Sequence, residues 1–238
     1  MNAVKLSPIG IITSCFKEKF GIPRQPGLVD EARAELHLNS TYGEESIRGL
    51  DGFSHLWINF IFHDCQAQGW KPMVRPPRLG GNAKVGVFAS RSPFRPNSLG
   101  LSVVELLDIE MSVSQVILHL GGCDLLDGTP VLDIKPYLPY VDAIQDAKGG
   151  FAENSPECSF KVEFSNVAQQ QCQVAESRTQ QHLFSLIEQV LQLDPRPSYQ
   201  QGNISNRIYS MKLYDFDLKW QYCENNIINV LELKTIKN

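Results

Sequence analysis

The chain has 238 residues, of which 42% are hydrophobic, and a formal net charge of −4. That suffices for a substantial core plus a smaller unit, and it excludes a protein that coats nucleic acid by overall charge, so any RNA contact needs a local basic patch. Six cysteines at positions 15, 65, 123, 158, 172 and 223 form no CxxC pair, which argues against a zinc site or a disulfide framework and for reduced thiols in a cytoplasmic protein.

The N-terminus lacks the layout of a signal peptide, and no apolar run reaches bilayer length. Residues 4–13 are apolar and β-branched around Pro8, predicting a strand with Pro8 at an edge or bulge. Gln25-Pro26-Gly27 is a turn: proline presets φ and glycine accepts a positive φ. Ala32, Ala34, Leu36 and Leu38 alternate with charged residues at strand period. Residues 43–49 predict a single helical turn, and 54–63 a buried strand holding Trp57, Phe60 and Phe62. Residues 64–82 form a long polar excursion with Lys71, Arg75 and Arg78, either a solvated loop or a basic patch that the net charge hides. Strands follow at 84–89, 101–107, 114–120 and 131–135. Many short strands with turns between them predict a β-barrel or sandwich over 1–145.

A linker is expected at 146–157 and a small α+β domain at 158–238. In that domain 158–166 predicts a strand. Leu183, Leu186, Ile187, Val190 and Leu191 form the apolar stripe of a helix that stops before Asp194-Pro195-Arg196-Pro197. Residues 211–222 and 227–233 predict two strands of a hairpin, with a slip in phase near Tyr214-Asp215 that suggests a bulge.

The stretch Arg91-Ser92-Pro93-Phe94-Arg95-Pro96-Asn97-Ser98 joins two strands and aims two guanidinium groups from a stiff, proline-bearing loop. A connector with solvated arginines explains that loop equally well. There is no G-x-G-x-x-G, no P-loop, no nucleophile elbow and no H-E-x-x-H. What remains are polar groups just outside strand ends: Gln25, His63, Asp64, Arg91, Arg95, Asn97, Asp124, Asp127, Asp133 and Lys135. Asp133 and Lys135 lie two apart on a strand and share a face, which is either solvent or the lining of a polar cleft.

Three segments together, Asp51-Gly52-Phe53-Ser54-His55-Leu56-Trp57, the loop from Arg91 through Gly100-Leu101-Ser102, and Asp124-Leu125-Leu126-Asp127-Gly128-Thr129-Pro130-Val131-Leu132-Asp133-Ile134-Lys135-Pro136-Tyr137, closely resemble the TsaA-like family. The resemblance implies a β-barrel methyltransferase that uses S-adenosylmethionine, acts on N6 of threonylcarbamoyl-adenosine beside the anticodon of tRNA, and forms a homodimer. It assigns cofactor contacts to Gln25, Pro26, Gly27, His63, Asp64, Arg91, Leu101 and Asp124-Leu125-Leu126-Asp127. The tRNA anticodon loop is expected to meet Arg95, Asn97, Lys135 and Tyr140, and Asp133 to serve as base or orienter. A non-enzymatic RNA-binding adaptor and a small-molecule-binding regulatory barrel are the rival readings.

Overall fold

The structure is a computed structural model and describes residues 4–113, 115–197, 200 and 207–236. The first part of the chain forms strands β1 (Gly10–Ser14), β2 (Ala34–Leu38), β3 (His55–Ile61), β4 (Met73–Val74), β5 (Val85–Gly86), β6 (Leu99–Met111), β7 (Val116–Gly121) and β8 (Pro130–Pro136), with short helices α1 (Glu44–Ile47) and α2 (Pro139–Asp142). Six of the strands close into a barrel in the order β1-β2-β7-β6-β3-β8, and its ladders are antiparallel. The alternation read from the sequence fills its interior: Ala34, Leu36 and Leu38 point inward while Glu35 and His37 face out. Ile12, Leu36, Leu56, Ile58, Leu118 and Leu120 make the centre of this core.

Two bulges set which side chains face the barrel exterior. In β8 the register shifts so that Asn59 opposes Asp133 while Phe60 opposes Val131. The extra residue, Leu132, reverses the phase, so Val131 is buried and Asp133 exposed although they are two apart. A second shift lies in β6 between Leu106 and Asp108.

Several sequence expectations change. The strand expected over 4–13 begins at Gly10, because Pro8 has no amide to give; its carbonyl instead accepts from the Asn39 side chain at 2.8 Å. Of the strand expected at 84–89, only Val85–Gly86 pairs, and Val87–Ala89 wind into a 3-10 turn held by the Ser90 hydroxyl on the Val87 carbonyl at 2.8 Å. The excursion at 64–82 contains β4 and the 3-10 turn Pro77–Leu79. The strand expected at 101–107 runs longer, over β6; the one at 114–120 is β7, and Ser114 lies outside the described residues, as does the extreme N-terminus.

The second part holds β9 (Lys161–Phe164), α3 (Asn166–Thr179), α4 (Leu183–Gln192), β10 (Ile208–Leu213), β11 (Phe216–Cys223) and β12 (Ile227–Thr235). Its sheet runs β10-β11-β12-β9, with β9 parallel to β12. The phase slip at Tyr214-Asp215 is a tight hairpin turn rather than a bulge, with Tyr214 at φ 52°, so three strands stand where two were expected. The bulge falls between Lys219 and Trp220. Helix α3 is absent from the sequence expectations. Its buried stripe is only Ala168, Cys172 and Ala175, and the Ser165 hydroxyl caps it by accepting from the Ala168 amide at 3.1 Å. That cap also ends β9 earlier than the expected strand at 158–166.

The two parts are sewn together by the segment that follows β1. Cys15, Phe16, Val29 and Ala32 are buried in the second core, not the first. Phe16 bridges Leu213, and the Cys15 carbonyl accepts from the Tyr214 amide at 2.8 Å. The Glu31 amide donates to the Gln189 side chain at 3.2 Å. Phe16 is fully buried there, so Phe16→Ala is expected to cost roughly 3–5 kcal/mol of unfolding free energy. Urea unfolding followed by tryptophan fluorescence measures it, and a change below about 1 kcal/mol would contradict this packing.

Candidate active site

Where the barrel rim, the loop after β3 and the second module meet, they leave an open cleft of about 1880 Å³. Gln25, Pro26, His63, Asp64, Arg91, Leu101, Asp124, Leu125 and Leu126 all line it. The turn predicted at Gln25-Pro26-Gly27 is present, with Gly27 at φ +71°. Its amide donates to the Gly122 carbonyl at 2.9 Å, and a Cβ on Gly122 would stand 3.3 Å from the Gly27 Cα. A pair of glycines therefore locks this turn against the corner that leads to Asp124. Gly27 itself does not line the cleft.

Asp124 and Arg91 set the cleft's electrostatics. The Asp124 carboxylate accepts from the Ser102 hydroxyl at 2.7 Å. Burial raises its pKa to about 6, against the opposing effects of the Ser102 hydrogen bond and the Arg91 charge. Arg91 is exposed, and its guanidinium donates to the Gln25 side-chain oxygen. A recessed carboxylate and an accessible guanidinium thus stand in one cleft with partly apolar walls. That donor and acceptor set suits a zwitterionic amino-acid group.

The other expected contacts have these surroundings. Asp64 forms an ion pair with Lys19 at 2.7 Å, and this partner holds its pKa below the usual carboxylate value. Asp127 faces away from the cleft; it accepts from the Ser14 amide at 2.9 Å and pairs with Lys17 at 2.9 Å. Leu125 is 1% exposed and packs in the barrel core. Arg95 lies outside the cleft lining and donates to the Ser90 carbonyl at 2.8 Å and the Val87 carbonyl at 3.3 Å, stapling its own loop. Asn97 is exposed at the tip of that loop beside Ser98, whose φ is 51°. Asp133 and Lys135 are exposed on the outer barrel face, opposite Asn59 and Trp57, and Tyr140 is exposed on α2. On that face Leu101 and Asp133 flank Asn59 from the two sides, which is two strand spacings, roughly 10 Å.

Sequence reasoning missed two parts of the cleft. Ser102 was legible only as the end of a motif. Asp194-Pro195-Arg196-Pro197 was read as a helix stop, yet it forms a buried ion pair, with Arg196 Nε 2.8 Å and Nη2 2.9 Å from the Asp194 carboxylate. The Tyr222 hydroxyl donates to the same carboxylate at 2.8 Å, and the Arg196 guanidinium lies 3.5 Å from the Tyr222 ring centre. With Lys19 and Arg196 paired, Arg24, Lys71, Arg75, Arg78 and Arg91 face Asp124 and Glu157 across the cleft. The cleft is basic although the chain is acidic.

The family model described as the tRNA-methyltransferase O N-terminal domain matches residues 11–143, and the TrmO C-terminal domain model matches residues 157–236. The chain belongs to the TrmO family. It is 48% identical over 222 residues to the tRNA (adenine(37)-N6)-methyltransferase of Escherichia coli (strain K12), covering 93% of this chain and 94% of that one. It is 49% identical over 169 residues to the protein of the same name from Eikenella corrodens, covering 71% and 90%. Its fold matches the crystal structure of TrmO from Pseudomonas aeruginosa with a TM-score of 0.83 and 40% identity, over 98% of this chain and 99% of that one.

Folding favours the protonated form of Asp124, because its folded pKa lies above that of the unfolded chain. This contribution is present below about pH 4 and is lost as pH rises through about 6. Asp124→Asn is therefore expected to stabilise the ligand-free protein at pH 8 by up to about 3 kcal/mol and to leave it unchanged at pH 4. Urea denaturation at both values checks this, and equal stability at pH 8 would remove the proposed burial cost.

Proposed function

We propose that this chain is an S-adenosylmethionine-dependent tRNA methyltransferase that methylates N6 of threonylcarbamoyl-adenosine at position 37, beside the anticodon. The observation that carries this reading is the pairing of recessed Asp124 with accessible Arg91 in a cleft whose remaining charge is positive. Bound S-adenosylmethionine supplies an electrophilic methyl group on a sulfonium. Arg91 grips the amino-acid carboxylate of that ligand in a charge-assisted contact, and Gln25 holds the guanidinium in place. Asp124, ionised above about pH 6, accepts from its ammonium or ribose hydroxyls. Gln25, Pro26, His63 and Leu101 give the adenosine a wall, and Lys71 and Arg75 meet phosphates of the anticodon loop. Gly27 and Asp127 serve the same site by shaping its turns.

The methyl on a sulfonium is already electrophilic, so much of the acceleration comes from holding acceptor and methyl in line, and N6, which carries a urea-like substituent, must also lose a proton. Asp133 is the candidate to take or orient that proton, and Lys135, Asn97 and Tyr140 are the candidates to meet the anticodon loop. Asp133 and Lys135 share the outer barrel face with exposed Leu99 and Leu101. A homodimer through this face brings them to the cleft of a second copy. Residues 1–145 and 158–238 act as the barrel and the accessory domain, with 146–157 as linker. The free thiols at all six cysteines support a cytoplasmic setting.

Incubation with methyl-labelled S-adenosylmethionine should put label into tRNA that carries the threonylcarbamoyl group and not into tRNA that lacks it. Label in neither would reject the reading. Asp133→Asn should lower transfer by at least about a hundredfold while calorimetry shows unchanged cofactor affinity; undiminished turnover removes Asp133 from the reaction. Leu99→Glu should shift the sedimentation mass from dimer to monomer, and a monomeric wild type would dispose of the dimer.

A further inference from the structure

Two guanidinium groups from distant parts of the chain, Arg24 and Arg78, line the same cleft. Arg24 belongs to the turn after β1, one residue before Gln25, and Arg78 to the 3-10 turn of the long basic loop. Arg24 donates to the Arg196 carbonyl at 3.4 Å, and Arg78 to the Asn154 carbonyl at 2.5 Å. Among the described residues neither forms an ion pair. The nearest carboxylate to offer Arg24 any attraction is Asp194, and that group is already engaged by Arg196 and Tyr222. Partial burial and the neighbouring Arg78 charge hold the Arg24 pKa below the ordinary arginine value. Two like charges kept together beside a saturated acid are electrostatically unfavourable until an anion sits between them.

We propose that Arg24 and Arg78 form a subsite for the threonyl carboxylate of the substrate nucleoside. The inference rests on the functional reading above and deepens it. The phosphates of an RNA backbone are equally anionic, but placement favours the carboxylate. Arg24 flanks Gln25, which holds Arg91, and Arg91 is the cofactor grip in that reading. The methyl group must reach N6, and the threonyl carboxylate hangs from N6 by a short chain. Arg24 and Arg78 line the same cleft as Gln25 and Arg91, which offers the N6 substituent an anion site on the cofactor's side, whereas Lys71 and Arg75 have no such link to Gln25. The Asp194-Arg196 pair has a positioning role. Its carbonyl and its neutralised charge aim Arg24 without competing for it. A guanidinium pair matches both oxygens of a carboxylate.

The test uses two fluorescent anticodon stem-loops bound to the full chain. One carries threonylcarbamoyl-adenosine, and the other the same group with its carboxylate converted to the amide. Wild type should bind the acid about 10–100-fold tighter than the amide, the equivalent of one or two charge-assisted hydrogen bonds. The Arg24→Gln, Arg78→Gln double variant should bind both alike, at the amide's level, with cofactor affinity by calorimetry unchanged. The Arg24→Lys, Arg78→Lys variant should recover part of the preference. A wild type that does not distinguish acid from amide would overturn the proposal. So would a Gln variant that weakens both stem-loops equally and flattens the salt dependence, since that marks a phosphate site. Binding decides this without methyl transfer, so failure of the labelling assay and failure of the subsite are separable.

Discussion

The cleft exists because the segment following β1 leaves the barrel and is held by the other core. Its anchors are apolar and backbone-directed: Phe16 has no solvent exposure, Cys15 shares its carbonyl with the hairpin at Tyr214, and Val29 and Ala32 are sealed in the same cluster. Between those anchors the chain must arch outward, and the arch carries Arg24, Gln25 and Pro26 into the space between the barrel rim and the second module. The Gly27-Gly122 contact then pins the far side of the arch to the barrel corner. Loosening either fastening would move the wall that faces Arg91 and Asp124. The second module is thus part of the site's construction even though few of its own side chains reach the centre.

Charge distribution follows from that construction. The chain is acidic overall, yet the arch, the loop after β3 and the loop before β6 bring their arginines to one place. Ion pairs remove Lys19 and Arg196 from the account and leave the others facing solvent within the cleft. Asp124 is retained there at a cost to folding, since a carboxylate recessed with a single hydroxyl donor is poorly solvated. A group that destabilises the empty protein and gains a partner from a cation is a mark of a site shaped for its ligand rather than for the fold.

Much of this was legible in the sequence. Alternation at 34–38 gave the barrel strand, Pro26-Gly27 gave the turn, and the stripe from Leu183 to Leu191 gave α4. The failures have separate causes. Helix α3 buries small residues, Ala168, Cys172 and Ala175, among glutamines, so its apolar period is faint. The turn at Tyr214 uses a positive φ at a residue that rarely adopts one, and so looked like a bulge in a single strand. Val87–Ala89 has strand composition, but the Ser90 hydroxyl competes for its carbonyl and turns the chain. The Asp194-Arg196 pair was invisible because a helix stop and a buried ion pair are written with the same four letters, and only tertiary placement separates them.

The placement of Asp133 shows how one residue of register can divide labour between two surfaces. Had β8 continued without its bulge, Val131 and Asp133 would share a face, and a carboxylate would enter an apolar barrel where nothing could compensate it. The extra residue at Leu132 prevents this and presents Asp133 with Lys135 on the exterior, beside Asn59 and within two strands of Leu101. The cleft itself holds Asp124, whose carboxylate is already bonded to Ser102. What lines the cleft is positive charge, one recessed carboxylate and apolar wall, while Asp133 belongs to the outer face of the barrel.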